Sequence, residues 1–285
     1  MQKQYAGDTE VNLPKAVIKP LVLDYESSLR GQEPDRKFIT ALARGLEVLK
    51  AFQSRVGPMS NKDLSEATGV PKPTITRLTY TLMRLGYLKQ SSRNGKYELA
   101  PGVLSLGYPL LSGSRIRHIA HDHMAELAKR GACTVALASR DQLSMVFIDE
   151  CCGNSSTTLR VDIGARIEMA KSAIGRAYLA GLREDARAEL FAELAKLYGD
   201  DWPDLERRIR EAIQQVRDRG FCLVDREWRK STRTVAAPLV SPDGTVVMAM
   251  SCGGPTFSVT LESLEQDLGP RLAHICQTDS VFLNY

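Results

Sequence analysis

Leu64-Ser65-Glu66-Ala67-Thr68-Gly69-Val70-Pro71-Lys72-Pro73-Thr74-Ile75-Thr76-Arg77-Leu78 holds two short helical patterns on either side of a glycine. Just upstream, Ser60-Asn61-Lys62-Asp63 has the form of a capping box, with Asp63 standing where Glu or Gln is usual. A helix therefore starts there and runs to about Thr68, and Gly69 supplies the turn. The next helix begins around Pro73, whose missing N–H costs nothing in a first turn. Ile75, Leu78, Leu82 and Leu85 form its buried stripe, and Gly86 stops it. Before this pair, Ile39, Leu42, Leu46, Leu49 and Phe52 recur at helical spacing up to Gly57-Pro58. After it, Tyr87–Gln90 and Lys96–Leu99 read as strands around Ser91–Gly95, with Asn94-Gly95 as a type I′ turn signal. Helix, short helix, glycine turn, helix, hairpin is the outline of a winged helix-turn-helix.

In that arrangement the N-terminal part of the last helix enters the major groove. With the apolar stripe inward, Lys72, Thr74, Thr76, Arg77 and Tyr80 face outward. Arg can bond guanine in a bidentate manner, and Thr can offer a hydroxyl or a methyl group to thymine. Lys89, Arg93 and Lys96 on the hairpin suit phosphate or minor-groove contact, which positions more than it specifies. The charge distribution points the same way. Residues 36–100 carry twelve Lys or Arg against four Asp or Glu, whereas residues 1–35 and 101–285 each carry two more acidic than basic side chains. The overall +4 thus hides one strongly basic segment, either a polyanion-binding module or a solvated basic face.

At 285 residues, the chain has room for about two domains. Its 43% hydrophobic and 25% charged residues exclude disorder throughout. No apolar run reaches the roughly 18–20 residues of a membrane span, and Met1 to Tyr5 lacks a signal-peptide pattern, so a cytoplasmic protein is expected. Leu104 to about Arg130 reads as one or two helices, with Gly107, Pro109 and Gly113 allowing a bend. Beyond it, strands at Cys133–Ser139, Leu143–Asp149, Thr234–Val240 and Thr245–Ser251 intersperse with helices at Lys171–Leu182, Asp185–Tyr198, Leu205–Arg219 and Leu261–Gln277. Without regular βαβ repeats, an antiparallel sheet with flanking helices is expected, in the α+β class.

Chemical motifs are sparse. There is no G-x-G-x-x-G after a strand, no phosphate-binding P-loop, no G-x-S-x-G and no H-E-x-x-H. The six cysteines contain no C-x-x-C pair and read mostly as buried small hydrophobes. Cys252 and His274 form a nucleophile pair only on paper. His118 and His121 share a helix face near Asp122, but with His123 they read as surface or interface histidines, and no metal or cofactor is expected.

Ala43-Arg44-Gly45-Leu46-Glu47-Val48-Leu49, the opening fifteen residues, Gly86-Tyr87-Leu88 and Tyr97-Glu98-Leu99-Ala100-Pro101-Gly102 together resemble the isocitrate-lyase-regulator (IclR) family of bacterial transcription regulators. The likeness continues through Gly164-Ala165-Arg166, Ser172-Ala173-Ile174-Gly175-Arg176-Ala177-Tyr178-Leu179-Ala180, Arg219-Gly220-Phe221 and Ala236-Ala237-Pro238-Leu239. It spans roughly residues 38–280. Residues 1–37 mix polar residues with Pro14, Pro20 and Pro34 without sustained periodicity. They read as a mostly flexible tail with a short ordered piece near Val17 to Leu23. The resemblance implies a winged helix at 38–102 after this tail. It further implies a linker helix at 103–116 that helps dimerisation, and a GAF-like effector-binding and oligomerisation domain at 117–285. Carried over residue by residue, the effector pocket comprises Gly164, Ala165, Val224, Thr234, Ser251 and Gly253. The residue types at Val224, Thr234 and Gly253 depart from some relatives, so no relative's effector carries over.

The expected protein is a ligand-responsive, sequence-specific DNA-binding regulator of a catabolic operon, not an enzyme. Its partners would be a pseudo-palindromic operator in double-stranded DNA, a small organic acid (aromatic acids included), and itself as a homodimer or dimer of dimers, with no membrane. Two other classes compete: a GAF-like thiol hydrolase fused to a basic domain, and a structural protein that binds DNA without specificity. The first lacks recognisable catalytic spacing; the second leaves the long body without a purpose.

Overall fold

The structure, a computed structural model, describes residues 37–53, 57–153, 160–245 and 247–283. The expected tail, with its ordered piece near Val17 to Leu23, lies outside the described residues except for Lys37. The chain divides into two compact units, residues 1–112 and 113–285.

In the first unit, α1 (Thr40–Lys50) ends in a single 3-10 turn at Ala51–Gln53, and α2 (Asn61–Thr68) and α3 (Lys72–Arg84) follow. Ser60 and Asp63 close a reciprocal capping box: the Asp63 N–H donates to Ser60 Oγ at 3.2 Å and the Ser60 N–H to Asp63 Oδ2 at 2.8 Å. Gly69 ends α2 with φ +71°, a left-handed cap that suits glycine. Val48, Leu64, Ile75, Leu82, Leu88 and Tyr97 build the small core.

The inner face of α3 differs from the expected stripe. Leu85 is 62% exposed because α3 ends at Arg84, and Thr79 takes its place inside, its hydroxyl donating to the Ile75 carbonyl at 2.9 Å. The helix α1 has two apolar faces: Val48, with Ala51 just after the helix, enters the core, while Ile39 just before it, Leu42 and Leu46 stay exposed.

The wing pairs β1 (Leu88–Gln90) with β2 (Tyr97–Leu99), Leu88 opposite Leu99. That register leaves six connecting residues instead of a two-residue type I′ turn. Only Gly95 has positive φ, at +66°, while Asn94 Oδ1 accepts the Lys96 N–H at 3.0 Å. The unit ends in α4 (Gly102–Ser112), which runs through Gly107 and Pro109 without interruption. The expected 103–116 linker is thus divided, since Gly113 and Ser114 separate α4 from the next helix.

The second unit contains α5 (Arg115–Gly131), β3 (Thr134–Asp141), β4 (Ser144–Cys152), β5 (Arg166–Glu168), α6 (Ala173–Gly181), α7 (Glu184–Tyr198) and α8 (Trp202–Arg219). It continues with β6 (Cys222–Asp225), β7 (Thr232–Val240) and β8 (Val247–Pro255). A helical turn at Leu261–Ser263 and a π-helical turn at Leu264–Leu268 lead into α9 (Gly269–Asp279). The six strands form one antiparallel sheet in the order β5-β4-β3-β8-β7-β6. The expected α+β architecture is therefore observed, and β5 and β6 were too short to show a pattern in sequence.

Helices cover both faces of this sheet. Ala136, Ala236 and Ala249 share a core with α6, α7 and α8, and these small side chains let α6 approach closely. On the opposite face α5 packs against β3 and β4, and α9 against β7. No helix among the described residues is long and apolar enough to cross a membrane.

Candidate functional site

On α3, Ile75 and Thr79 turn fully inward, which leaves Lys72, Thr76, Arg77 and Tyr80 exposed and Thr74 half-buried. The Thr76 hydroxyl is already engaged: it accepts from Asn61 Nδ2 at 3.1 Å and donates to the Lys72 carbonyl at 3.1 Å, tying α2 to α3. Lys72 and Arg77 form no ion pair among the described residues, so their charges face outward unopposed. On the wing, Lys89 pairs with Glu98 directly across the hairpin at 3.1 Å, whereas Arg93 and Lys96 form no ion pair among the described residues. The positive field of this unit is therefore carried by α3 and the wing loop more than by the strands.

The second unit holds a cavity on the α6 side of the sheet, with about 540 Å³ of space between its atoms, part of it open to solvent. The room it leaves for the centres of water-sized guests is about 50 Å³. Strand register explains its floor. Val224, Thr234, Gly253 and Thr134 lie opposite one another across β6, β7, β8 and β3. One row away, two residues along each strand and so on the same face, come Ala236, Ser251 and Ala136. Phe147, Val161 and Ile167 add an apolar wall, Ser172 to Ile174 bring the start of α6, and Trp228 and Thr232 complete the rim.

Among the described residues no charged side chain lines this cavity. Of its hydroxyls, that of Ser172 caps α6, accepting the Gly175 N–H at 3.2 Å and donating to the Glu168 carbonyl. That of Thr232 donates to the Arg229 carbonyl at 3.2 Å. Thr234 and Ser251 have no side-chain hydrogen bond among the described residues, which leaves two hydroxyls on a diagonal of adjacent strands for a guest.

Val224, Thr234, Ser251 and Gly253 thus come together, and Gly164 and Ala165 do not. Gly164, with φ +87°, forms a tight turn into β5 whose N–H donates to the Phe147 carbonyl at 2.8 Å; the Ala165 N–H donates to the Asp162 carbonyl at 2.9 Å. Their donors are spent on the turn. Gly253 is glycine for a reason other than ligand approach: a Cβ there would stand 2.3 Å from the Arg233 carbonyl oxygen and 2.7 Å from Thr234 Oγ1. Sequence reasoning missed Phe147, Ser172, Trp228 and the Thr134/Ala136 pair. The alternation Thr134-Val135-Ala136 was a readable signal for the last; the rim residues come from loops and a helix end, where no periodicity speaks.

The suggested thiol pair is not assembled. Cys252 is fully buried, 3.2 Å from Cys133 Sγ; that hydrogen bond, then burial, push its thiol well above the usual value, while His274 is exposed on α9. Burial likewise pushes Cys222 up to about 12. Such thiols are poor nucleophiles near neutral pH. The three α5 histidines go separate ways: His118 to the Ser114 carbonyl at 3.0 Å, His121 to Asp149 at 2.9 Å and His123 to Asp279 at 3.0 Å. Among the described residues no three His, Cys, Asp or Glu side chains gather as metal ligands.

Comparison with known proteins matches both units in order. Residues 41–92 match the IclR helix-turn-helix domain, and residues 109–278 the bacterial transcriptional regulator IclR C-terminal domain. The HTH-type transcriptional regulator TsaQ1/TsaQ2 of Comamonas testosteroni is 32% identical over 86% of this chain and 89% of its own. The Pca regulon regulatory protein of Pseudomonas putida is 28% identical over 90% and 88%. A crystal structure of an IclR family transcriptional regulator from Brucella abortus is 41% identical, covers 87% of this chain and 94% of its own, and superposes with a TM-score of 0.79. On these matches, over a helix-turn-helix unit and a sheet-based unit with its cavity, the chain belongs to the IclR family of bacterial transcriptional regulators.

Proposed function

We propose that this protein is a ligand-responsive, sequence-specific regulator of a catabolic operon in the cytoplasm, with a small organic acid, aromatic acids included, as effector. The observation that carries this reading is the pair of unpartnered hydroxyls, Thr234 and Ser251, on the floor of an otherwise apolar cavity. A carboxylate accepts hydrogen bonds from two hydroxyls, and Phe147, Ile167 and Val161 suit a hydrocarbon body. Val224 and Gly253 complete the floor. On DNA, Arg77 reads a base, with Lys72, Thr74 and Tyr80 beside it. Thr76 orients the helix through Asn61, and Arg93 and Lys96, with Lys89, meet phosphate.

An uncovered apolar helix supports self-association as part of the same reading. The helix α4 has no buried residue, and Leu104, Leu106, Tyr108 and Leu110 are each more than half exposed. An apolar helix of this kind is stable in water once a second copy covers it, and two winged helices then face two half-sites of a pseudo-palindrome. An effector that favours one spacing of those helices changes operator affinity by population shift.

The test selects an operator from a random duplex pool and measures binding with and without a panel of small carboxylic acids, benzoate among them. An acid that changes operator affinity about fivefold or more, with the change lost in Ser251→Ala, supports the reading. A panel without effect, or a shift that survives in Ser251→Ala, contradicts it.

A further inference from the structure

The cavity's rim includes one large aromatic residue on a loop, and its neighbours hold that loop in place. Trp228 lies on the connection from β6 to β7 and is half-buried against the cavity. Arg226 begins the loop with φ +58°, a left-handed conformation rarely adopted by a residue with a side chain. Its N–H donates to the Thr232 carbonyl at 2.9 Å, and the Thr232 N–H donates to the Arg229 carbonyl at 3.0 Å, so the loop closes on itself. Next to Trp228, Glu227 receives two hydrogen bonds from the Arg176 guanidinium, at 3.1 and 2.7 Å, and one from Arg208 at 2.9 Å. Arg176 is itself 2% exposed and anchored by its Nε–H to the Ala170 carbonyl at 2.9 Å. Burial of Glu227 opposes its ionisation, but the Arg176 and Arg208 hydrogen bonds outweigh this and hold its carboxyl below the usual range.

The Arg229 guanidinium sits 4.5 Å from the Trp228 ring centroid and covers one face of the indole. The loop is held at Glu227, Arg229 covers one face of the indole, and Trp228 contributes aromatic surface to the cavity's lining. Opposite chemistry lies on the floor, where Thr234 and Ser251 can hold a carboxylate. A guest held by its carboxylate there meets Trp228 with its hydrocarbon part.

We propose that Trp228 is a specificity-determining residue of the cavity, selecting flat unsaturated rings over saturated ones of the same size, with Glu227 and Arg176 as its positioning residues. This inference rests on the reading of the cavity as the effector site. Ring stacking on an aromatic wall favours the flat guest by roughly two- to tenfold.

The test titrates benzoate and cyclohexanecarboxylate into the full chain by calorimetry, in wild type, Trp228→Leu, Trp228→Phe and Ser251→Ala. Expected is a benzoate preference that shrinks to within about twofold of parity in Trp228→Leu and persists in Trp228→Phe. The chain has two tryptophans, and Trp202 is buried between α7 and α8, with its ring edge-on to Phe191. Benzoate should therefore quench tryptophan emission in wild type and not in Trp228→Phe, although it still binds there. A preference unchanged in Trp228→Leu, with both probes weakened in Ser251→Ala, overturns the role of Trp228 and leaves the cavity reading standing. Both probes binding all variants like wild type overturns the cavity reading and the inference with it. No binding of benzoate to wild type also overturns the proposal.

Discussion

Replacing Gly253 by alanine adds a single methyl group at the cavity floor, and the structure gives its consequence. The new Cβ would stand 2.3 Å from the Arg233 carbonyl oxygen, 2.8 Å from Thr234 Cα and 2.7 Å from Thr234 Oγ1. Two of these are backbone atoms of β7, which is paired to β8 along nine residues and cannot swing aside as a side chain would. Overpacking of this kind costs about 1–3 kcal/mol. In a domain of this size each kcal/mol lowers the melting temperature by about 2–4 °C, so the second unit should melt about 2–12 °C lower. Gly164→Ala is the matched control, with open space around the new methyl group but φ +87° to maintain. It should cost about 1–2 kcal/mol from the left-handed backbone alone. Differential scanning calorimetry reads both. A Gly253→Ala melting within a degree of wild type would refute the reasoning, because the strands would then have room that the register denies them.

Further outcomes follow from other parts of the molecule. Ser251→Ala and Thr234→Val should each weaken effector binding by about 1.5–3 kcal/mol and leave operator affinity without effector within about twofold; effector binding like wild type in both would make those hydroxyls structural. Arg77→Ala should cost about 1–3 kcal/mol on the operator and relax one base position, whereas Lys96→Ala should weaken specific and random duplexes alike; gel shifts in which Arg77→Ala behaves as wild type on both would sink the assignment. If α4 is covered by a second copy as proposed, Leu104→Glu with Tyr108→Glu should lower the mass seen by sedimentation, and an unchanged mass would place any interface elsewhere. Hydrogen bonds from Arg130 and then Arg271 hold the Asp267 carboxyl at about 2, below the unfolded value of about 3.9. Its contribution is present above about pH 4 and lost as pH falls through about 2; it is small, because the pair is more than a third exposed. The melting difference between wild type and Asp267→Asn should shrink over that window, and a difference that grows on acidification would contradict the sign.

The helix-turn-helix was legible because its signals are local. Ser60 and Asp63 cap, Gly69 turns, and Ile75, Leu78 and Leu82 repeat within one helix. What local pattern could not show was which of two apolar faces on α1 a single chain buries, or that Leu85 falls just past the end of α3. The Asn94-Gly95 signal also misled, since pairing of Leu88 with Leu99 imposes a six-residue connection in which only Gly95 needs positive φ. In the second unit Val224, Thr234, Ser251 and Gly253 came from the family resemblance, and strand register places the four side by side on one face of the sheet. Gly164 and Ala165 fell outside because the hydrogen bonds of a turn, invisible in a sequence, use their N–H groups. Trp228 was missed for the same kind of reason: it reaches the cavity through a loop fixed by Arg176, fifty-one residues from its partner Glu227.

The central claim is that the cavity and the α3 face are coupled. It is tested most directly by measuring effector affinity twice by calorimetry, on the free protein and on the protein saturated with its operator, alongside operator affinity with and without saturating effector. Linkage requires that the two ratios agree, and the account predicts a common factor of about 5–150. A common factor of one, with the effector bound equally well to free and DNA-bound protein, would contradict it.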